Sequence, residues 1–294
     1  MISGVIPIDK PEGFTSFDVI AKCRGILRER RLGHSGTLDP MATGVLPVFV
    51  GRATRAIDLL PDREKRYKAG FRLGLQTDTQ DITGEVIKTS SLKVSREDIE
   101  AAAERFVGKI MQTPPMYSAV KVDGKRLYDL AREGKKVERQ PREIEIFSLS
   151  VTDFDETTQS GGLMISCSKG TYIRTLINDI GETLGTLGAM TSLRRTYSQG
   201  VDISACISLE KLEEAVKSGG ADELIIPLER CFECFPAIEL DEKLARLYRN
   251  GVKLEASRMG SPIDGRYRVF GGEFIGIGDV VGGVLKTVKN FAGD

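Results

Sequence analysis

The 294-residue chain predicts an α+β fold, a mixed central sheet with flanking helices, followed by a small all-β unit. Three observations carry that prediction. Apolar β-prone runs and amphipathic helical runs alternate irregularly, without the regular strand–helix repeat of a doubly wound sheet. After Pro236 the texture changes, and beyond Gly265 three short apolar runs follow one another. They are separated by Gly271-Gly272 and Gly282-Gly283, and glycine pairs between strands signal tight hairpins. The division predicted is therefore 1–235 and 236–294.

The opening run Val5-Ile6-Pro7-Ile8 reads as a strand. A helix follows, capped by Thr15 or Ser16, with Val19, Ile20, Cys23, Ile26 and Leu27 at helical spacing. Residues 45–50 and 67–73 read as strands, joined by a short helix around 53–60. The run Ser95-Arg96-Glu97-Asp98 caps a helix carrying Ile99, Ala102, Ala103 and Phe106 on one face. Residues 124–134 read as a basic surface helix bounded by glycines. The runs from Ile144 onward and over 163–168 read as a strand pair. A further helix begins at Thr171, with Ile173, Leu176, Ile177, Ile180 and Leu184 as its core stripe. Arg174 falls off that stripe in the first turn, and a strand ending at a helix start mounts a charged group well beside a pocket. In the tail, residues 241–250 form a helix stopped by Asn250-Gly251.

Hydrophobic residues make up 40% of the chain and charged residues 29%, the balance of an ordinary soluble protein. No apolar run approaches the roughly 18 residues of a membrane span. The first residues show no basic segment followed by an apolar one, so a cytoplasmic protein is expected. Five cysteines, an odd number, suggest no disulfide scaffold. Cys231 and Cys234 form a lone CxxC without the second pair or nearby histidines that a structural zinc site uses. They read as packing residues at a domain junction, with metal or redox chemistry the minor alternative. Zero formal net charge argues against a protein that coats nucleic acid indiscriminately. The charge is nonetheless uneven: residues 117–143 hold eight Lys/Arg against five Asp/Glu, and 246–289 hold eight against four. Between 210 and 243 the balance reverses, with ten acidic residues against four basic. Local basic surfaces on a neutral whole suit docking and release of one shaped RNA, while solvated helix faces are the bland alternative.

Chemistry concentrates in residues 33–48, Gly-His-Ser-Gly-Thr-Leu-Asp-Pro-Met-Ala-Thr-Gly-Val-Leu-Pro-Val. The run contains the only histidine, His34, and a carboxylate, Asp39. Pro40 disfavours the helical region at Asp39, so that carboxylate sits on extended or turn backbone. After Thr43-Gly44 the sequence turns apolar, which sets a polar loop directly on a buried strand. Taken alone, an Asp-Pro pair is an Asx-type turn. The chain has no GxxxxGK[ST] loop, no GxGxxG after a strand and no HExxH. Asp78 and Asp81 fit no calcium loop and read as a polar turn.

The same run carries the pattern Gly-His-x-Gly-x-Leu-Asp-Pro-x-Ala-x-Gly-Val-Leu, and it resembles the TruB family of tRNA pseudouridine synthases. Five further motifs resemble that family in its order. They are Lys10-Pro11-Glu12-Gly13-Phe14-Thr15-Ser16, then Lys65-Arg66-Tyr67-Lys68-Ala69 with Leu73-Gly74 and Thr77-Asp78-Thr79-Gln80-Asp81. Pro114-Pro115-Met116-Tyr117-Ser118-Ala119-Val120-Lys121, Cys167-Ser168-Lys169-Gly170-Thr171-Tyr172-Ile173-Arg174 and Leu193-Arg194-Arg195-Thr196 complete the set, spanning roughly residues 1–200. One departure stands out. Gln199 is inserted between Ser198 and Gly200, which puts the local strand end in question.

The resemblance implies a pseudouridine-synthase fold with a short PUA-like RNA-binding barrel in the tail. It implies an isomerase that converts the T-loop uridine at tRNA position 55 to pseudouridine. Asp39 is then the nucleophile, toward C6 or C1′, paired with an Arg174 expected to hold its pKa down. Tyr67 is expected to stack on the target base and assist removal of the C5 proton. Tyr172 and Leu193 should line the base pocket, and His34 should contact RNA during base extrusion. Lys10 and Pro11 are expected to buttress Tyr67, and an insertion at about 117–143 to clamp the RNA. The base lies inside a folded arm and must be flipped out to react. No cofactor and no metal is expected, the partner is the T arm of tRNA, and the protein should act as a monomer without membrane or protein partner. Two rival readings stand beside this one. A tRNA-folding chaperone would have no use for Asp39, and a carboxylate hydrolase of nucleosides or sugars would need a second carboxylate that the motif lacks.

Overall fold

The computed structural model describes residues 3–61, 64–118, 120–122, 124–135 and 137–292. The chain opens with β1 (Gly4–Lys10) and α1 (Ser16–Leu27). Thr15 starts α1 through a reciprocal capping box, its hydroxyl accepting from Asp18 N at 3.0 Å while the Asp18 carboxylate accepts from Thr15 N at 2.8 Å. Strands β2 (Leu32–His34) and β3 (Thr43–Val50) follow, then a 3-10 helix at Gly51–Leu59 and β4 (Lys65–Leu73). A small hairpin of β5 (Leu75–Thr77) and β6 (Val86–Thr89) leads to α2 (Arg96–Glu104), opened by the expected Ser95–Asp98 box, and to β7 (Gly108–Gln112).

Next come β8 (Lys121–Val122), β9 (Lys125–Arg126) and α3 (Leu127–Arg132), then the long pair β10 (Arg142–Asp155) and β11 (Ser160–Cys167). The helix expected over 124–134 is shortened to the six residues of α3. Its N-terminal part is consumed by the β8–β9 hairpin, whose turn uses Gly124 at φ +81. Helix α4 (Ile173–Thr183) starts two residues later than its pattern suggests, because the Thr171 hydroxyl donates to Ser168 O at 2.9 Å and is held in the preceding loop. Strands β12 (Gly188–Ser198) and β13 (Val201–Asp202) and helix α5 (Leu209–Ser218) complete this part.

The strand order is β1-β3-β12-β4-β11-β10-β7, with β2 also on β3 and β13 also on β12. All of these pairs are antiparallel except β3 with β12, so the sheet is mixed as the sequence predicts. That parallel junction sets Arg194 opposite Thr43 and Arg195 opposite Gly44. Gly44 is required there: its φ is +102, and a Cβ would lie 2.1 Å from Arg195 O. Helices α2 and α4 cover one face, packing Ile99, Leu176 and Ile177 on Phe71, Ile146, Leu163 and Ile165. Each such fully buried aliphatic side chain stabilises the fold by about 1.5–3 kcal/mol. Helices α1 and α5 close a second core over Ile6, Ile8, Leu46 and Val48.

The tail holds β14 (Ala237–Glu239), α6 (Glu242–Arg249), β15 (Leu254–Glu255), β16 (Gly265–Gly271), β17 (Glu273–Val281) and β18 (Val284–Asn290). They form one five-stranded sheet in the order β14-β16-β17-β18-β15 around Leu244, Tyr248, Val269 and Leu285. Both glycine pairs make hairpins as expected, Gly282 and Gly283 at φ +59 and +73 closing the β17–β18 turn. A fourth apolar cluster joins the two parts, with Phe49, Ala53 and Ala56 against Phe232, Ile277 and Phe291. Cys231 packs at this junction while Cys234 is exposed, and no metal-holding group of His, Cys, Asp and Glu occurs among the described residues.

Candidate active site

The loop that carries Asp39 is pinned from three directions. The Ser16 hydroxyl at the start of α1 accepts from Leu38 N at 2.8 Å and donates to Leu38 O at 3.2 Å. Gly13 N donates to Pro40 O at 2.9 Å, and Ala42 N donates to Asp39 O at 3.0 Å. The fully buried Lys10 ammonium donates to Pro11 O at 2.9 Å, Pro40 O at 3.2 Å and Phe14 O. These contacts give the 10–16 motif a physical task. Lys10 and Pro11 were expected to buttress Tyr67; the hydrogen bonds of Lys10 tie its own 11–14 segment to the Asp39 loop through Pro40 O.

The start of α4 delivers Arg174 to the same cavity. Its Nε lies 3.0 Å from Asp39 Oδ2 and its Nη1 lies 3.6 Å from Asp81 Oδ2. Nη1 also donates to Thr79 O at 2.8 Å and Nη2 to Tyr117 O at 2.9 Å. The guanidinium side chain is 6% exposed and so is that of Asp81, while Asp39 remains 38% exposed to the cavity. A charge that has lost its water must be paired and hydrogen-bonded, and Arg174 is satisfied on every side. The 77–81 segment is thus the polar turn that its sequence suggests, with Asp81 accepting from Thr83 N at 3.0 Å and Thr79 Oγ1 at 2.9 Å.

Asp39, Tyr67, Tyr172, Arg174 and Leu193 line one cavity of about 260 Å³, together with Lys65, Tyr117 and Thr171. Five separate segments are needed to assemble it: the 33–42 loop, β4, the insertion at Tyr117, β12 and the start of α4 with its preceding loop. His34 is not part of this wall. It sits on β2 opposite Val48, with its Nδ1 buried and unpartnered, and burial together with the Arg195 charge lowers its pKa.

Electrostatics correct one expectation. Arg174 pairs with Asp39 as the resemblance implies, yet the pKa of Asp39 stands above the ordinary aspartate value. The surrounding protein removes water from the carboxylate, and this outweighs the opposing pull of Arg174, with the Asp81 charge adding to the rise. Tyr67 is buried, and that burial pushes its hydroxyl up to about 12, with the Arg195 guanidinium working the other way.

Sequence reading passed over Lys65, Tyr117 and Arg195. The signal for Lys65 was present, because residues i and i+2 of a strand share a face and Tyr67 already pointed at the cavity. Tyr117 reaches the site through its insertion, its hydroxyl donating to Asp78 Oδ2 at 3.1 Å. The inserted Gln199 does not disturb the strand: with Gly200 it forms a two-residue turn, φ +56 and +80, between β12 and β13. Its side-chain amide donates to the Ser35 hydroxyl.

A family model for the N-terminal domain of TruB family pseudouridylate synthases matches residues 24–173. The chain belongs to the TruB family. A second model, the tRNA pseudouridylate synthase B C-terminal domain, matches residues 174–233. The tRNA pseudouridine synthase B of Clostridium kluyveri is 41% identical over 294 residues, covering 99% of this chain and 100% of that protein. The TruB relative of Stutzerimonas stutzeri is 42% identical over 284 residues, 95% of this chain and 92% of its own. Among solved structures, a Cbf5-Nop10-Gar1 complex contains a chain with TM-score 0.75 and 27% identity, matched over 98% of this chain and 85% of that one. The resemblance of the six motifs to TruB enzymes is thereby borne out, and so is the pseudouridine-synthase fold.

Proposed function

We propose that this TruB protein isomerises the T-loop uridine at tRNA position 55 to pseudouridine, with Asp39 as nucleophile. The observation that carries the reading is the Asp39–Arg174 pair, 3.0 Å apart, at the wall of a cavity also lined by three tyrosines. The isomerisation breaks the C1′–N1 bond, forms C1′–C5, removes a proton from C5 and returns one to N1. Its atoms balance without an oxidant, reductant or second substrate. Arg174 fixes the carboxylate and opposes its protonation, while Tyr67 and Tyr172 offer ring faces to the everted base. Tyr67 is the group placed to relay the C5 proton, and Leu193 supplies an apolar wall. His34 lies beside this cavity rather than in it, which suits contact with RNA outside the base pocket.

The reading extends to the rest of the chain. Residues 1–235 are the catalytic unit, the segment at about 117–143 clamps RNA, and 236–294 is a PUA-like module adding affinity for the acceptor side of tRNA. On this reading the enzyme is a cytoplasmic monomer; separately, no described helix is long and apolar enough to cross a membrane. Replacement of Asp39 by Asn tests the central assignment. It should abolish pseudouridine formation on a T-arm hairpin while binding stays near wild type, and retained conversion would exclude Asp39 as nucleophile. Near-normal tRNA refolding by the same variant would reveal a chaperone capacity alongside the chemistry.

A further inference from the structure

The cavity carries more positive charge than the Asp39–Arg174 pair uses. Lys65 lines the wall beside Tyr67, and Arg195 lies directly behind it, fully buried. The two cations converge on Gly36: a Cβ built there would lie 2.9 Å from Lys65 Nζ and 3.2 Å from Arg195 Nη1. Gly36 adopts φ +73, so the loop turns here in a form that leaves this space open. Arg195 spends two of its nitrogens on the scaffold, Nε donating to Val45 O at 2.7 Å and Nη2 to Gly36 O at 3.0 Å. Its Nη1 is buried without a hydrogen-bond partner.

Neither cation has an ion pair among the described residues. The charges that act on Lys65 are those of Arg195 and Lys169, both positive, and Cys167, whose thiol burial keeps protonated. Burial beside these cations lowers Lys65 to about 8. A buried cation without a counter-charge costs stability, and fixed cations around a cavity are a site built for an anion. A neutral uracil carbonyl would leave both charges uncompensated, whereas a phosphodiester brings the full negative charge and two accepting oxygens.

We propose that Lys65, backed and held forward by Arg195, receives a backbone phosphate flanking the everted nucleotide. This rests on the RNA-modifying reading above and deepens it: Lys65 makes the contact, and Arg195 is a positioning residue. The Lys65–phosphate contact locks the flipped base over Asp39, in a cavity that the insertion residue Tyr117 also lines.

The test uses T-arm hairpins carrying one neutral methylphosphonate linkage, either 5′ or 3′ of the target uridine or several nucleotides away. A charge-assisted contact removed from a low-dielectric site lowers affinity by roughly tenfold to a hundredfold. Wild-type enzyme should lose that much at one flanking linkage and little at the distant one. The Lys65→Met enzyme should bind the unmodified hairpin correspondingly more weakly and show no further loss at the same linkage, and Lys65→Arg should restore most of it. Equal losses at all linkages in wild type, a measurement that needs no variant to fold, would overturn the site. Additive losses in Lys65→Met would overturn it also. Competition by millimolar inorganic phosphate beyond matched chloride, with no methylphosphonate effect, would assign a free anion and overturn the backbone reading. Wild-type enzyme that fails to convert the unmodified hairpin would sink the RNA-modifying reading itself, and this proposal with it.

Discussion

Replacing Arg174 by Met should separate two roles that one guanidinium performs. The stability role runs through Asp81, whose side chain is 6% exposed and 3.6 Å from Arg174 Nη1. Removing one partner of a buried pair costs about 3–5 kcal/mol because the other charge is stranded. Asp81 keeps its bonds from Thr79 Oγ1 at 2.9 Å and Thr83 N at 3.0 Å, which places the loss near the lower end of that range. Asp39 adds less to the loss, since its side chain keeps 38% exposure to the cavity even though the walls strip part of its water. A loss of about 3 kcal/mol lowers Tm by roughly 6–12 °C in a chain of this size. The catalytic role runs through the Nε contact to Asp39. Asp39 works ionised, so activity is lost as pH falls through its pKa, which already stands above the ordinary aspartate range. Without the guanidinium the main force opposing that rise is gone, and the acid limb of kcat/KM should move to still higher pH. Urea unfolding and a pH–rate profile on a T-arm hairpin measure both effects. Asp81→Asn should also cost stability but move the acid limb the other way, to lower pH, because the Asp81 charge adds to the rise at Asp39. A folded Arg174→Met enzyme with an unmoved acid limb would refute the claim that Arg174 governs Asp39.

Asp39→Asn should reduce pseudouridine formation below detection with hairpin affinity within a few fold, measured by product analysis and by titration. Gly44→Ala should cost at least about 2 kcal/mol in urea unfolding, because φ is +102 and the new Cβ meets the Arg195 carbonyl. Lys65 is held at about 8 when folded, against an ordinary value of 10.5, so between these values the unfolded chain binds more protons. Stability of the wild type relative to Lys65→Met should therefore rise with pH through that window, by on the order of 2 kcal/mol; a flat difference would show that Lys65 keeps its ordinary pKa. In the tail, Leu254 pairs with Leu285, so the same register sets exposed Lys253 opposite exposed Lys286. Lys253→Glu with Lys286→Glu should weaken full-length tRNA binding and flatten its salt dependence while sparing the hairpin, and equal losses on both substrates would refute a separate role for the tail.

The sequence by itself determined many of the elements and singled out Asp39 as the candidate reactive carboxylate. Capping boxes at Thr15 and Ser95, the 3.6-residue stripe of α4 and the glycine-pair hairpins are local codes, set by neighbours in the chain. Asp39 and Arg174 were legible as partners because the motif order carries family resemblance, although 135 positions separate them (174 − 39). Tertiary structure decided what distance and burial control. The parallel β3–β12 pairing brings Arg195 under Gly36 and behind Lys65, which no spacing along the chain records. Lys10, expected from its motif to buttress Tyr67, becomes a buried clamp between the 11–14 segment and the Asp39 loop, because the carbonyls of Pro11, Phe14 and Pro40 converge on its ammonium. The sign of the Asp39 shift followed the same logic. Sequence supplies the partner charge that lowers a pKa, but the loss of water that raises it depends on how many elements close around the carboxylate, and only folding sets that number.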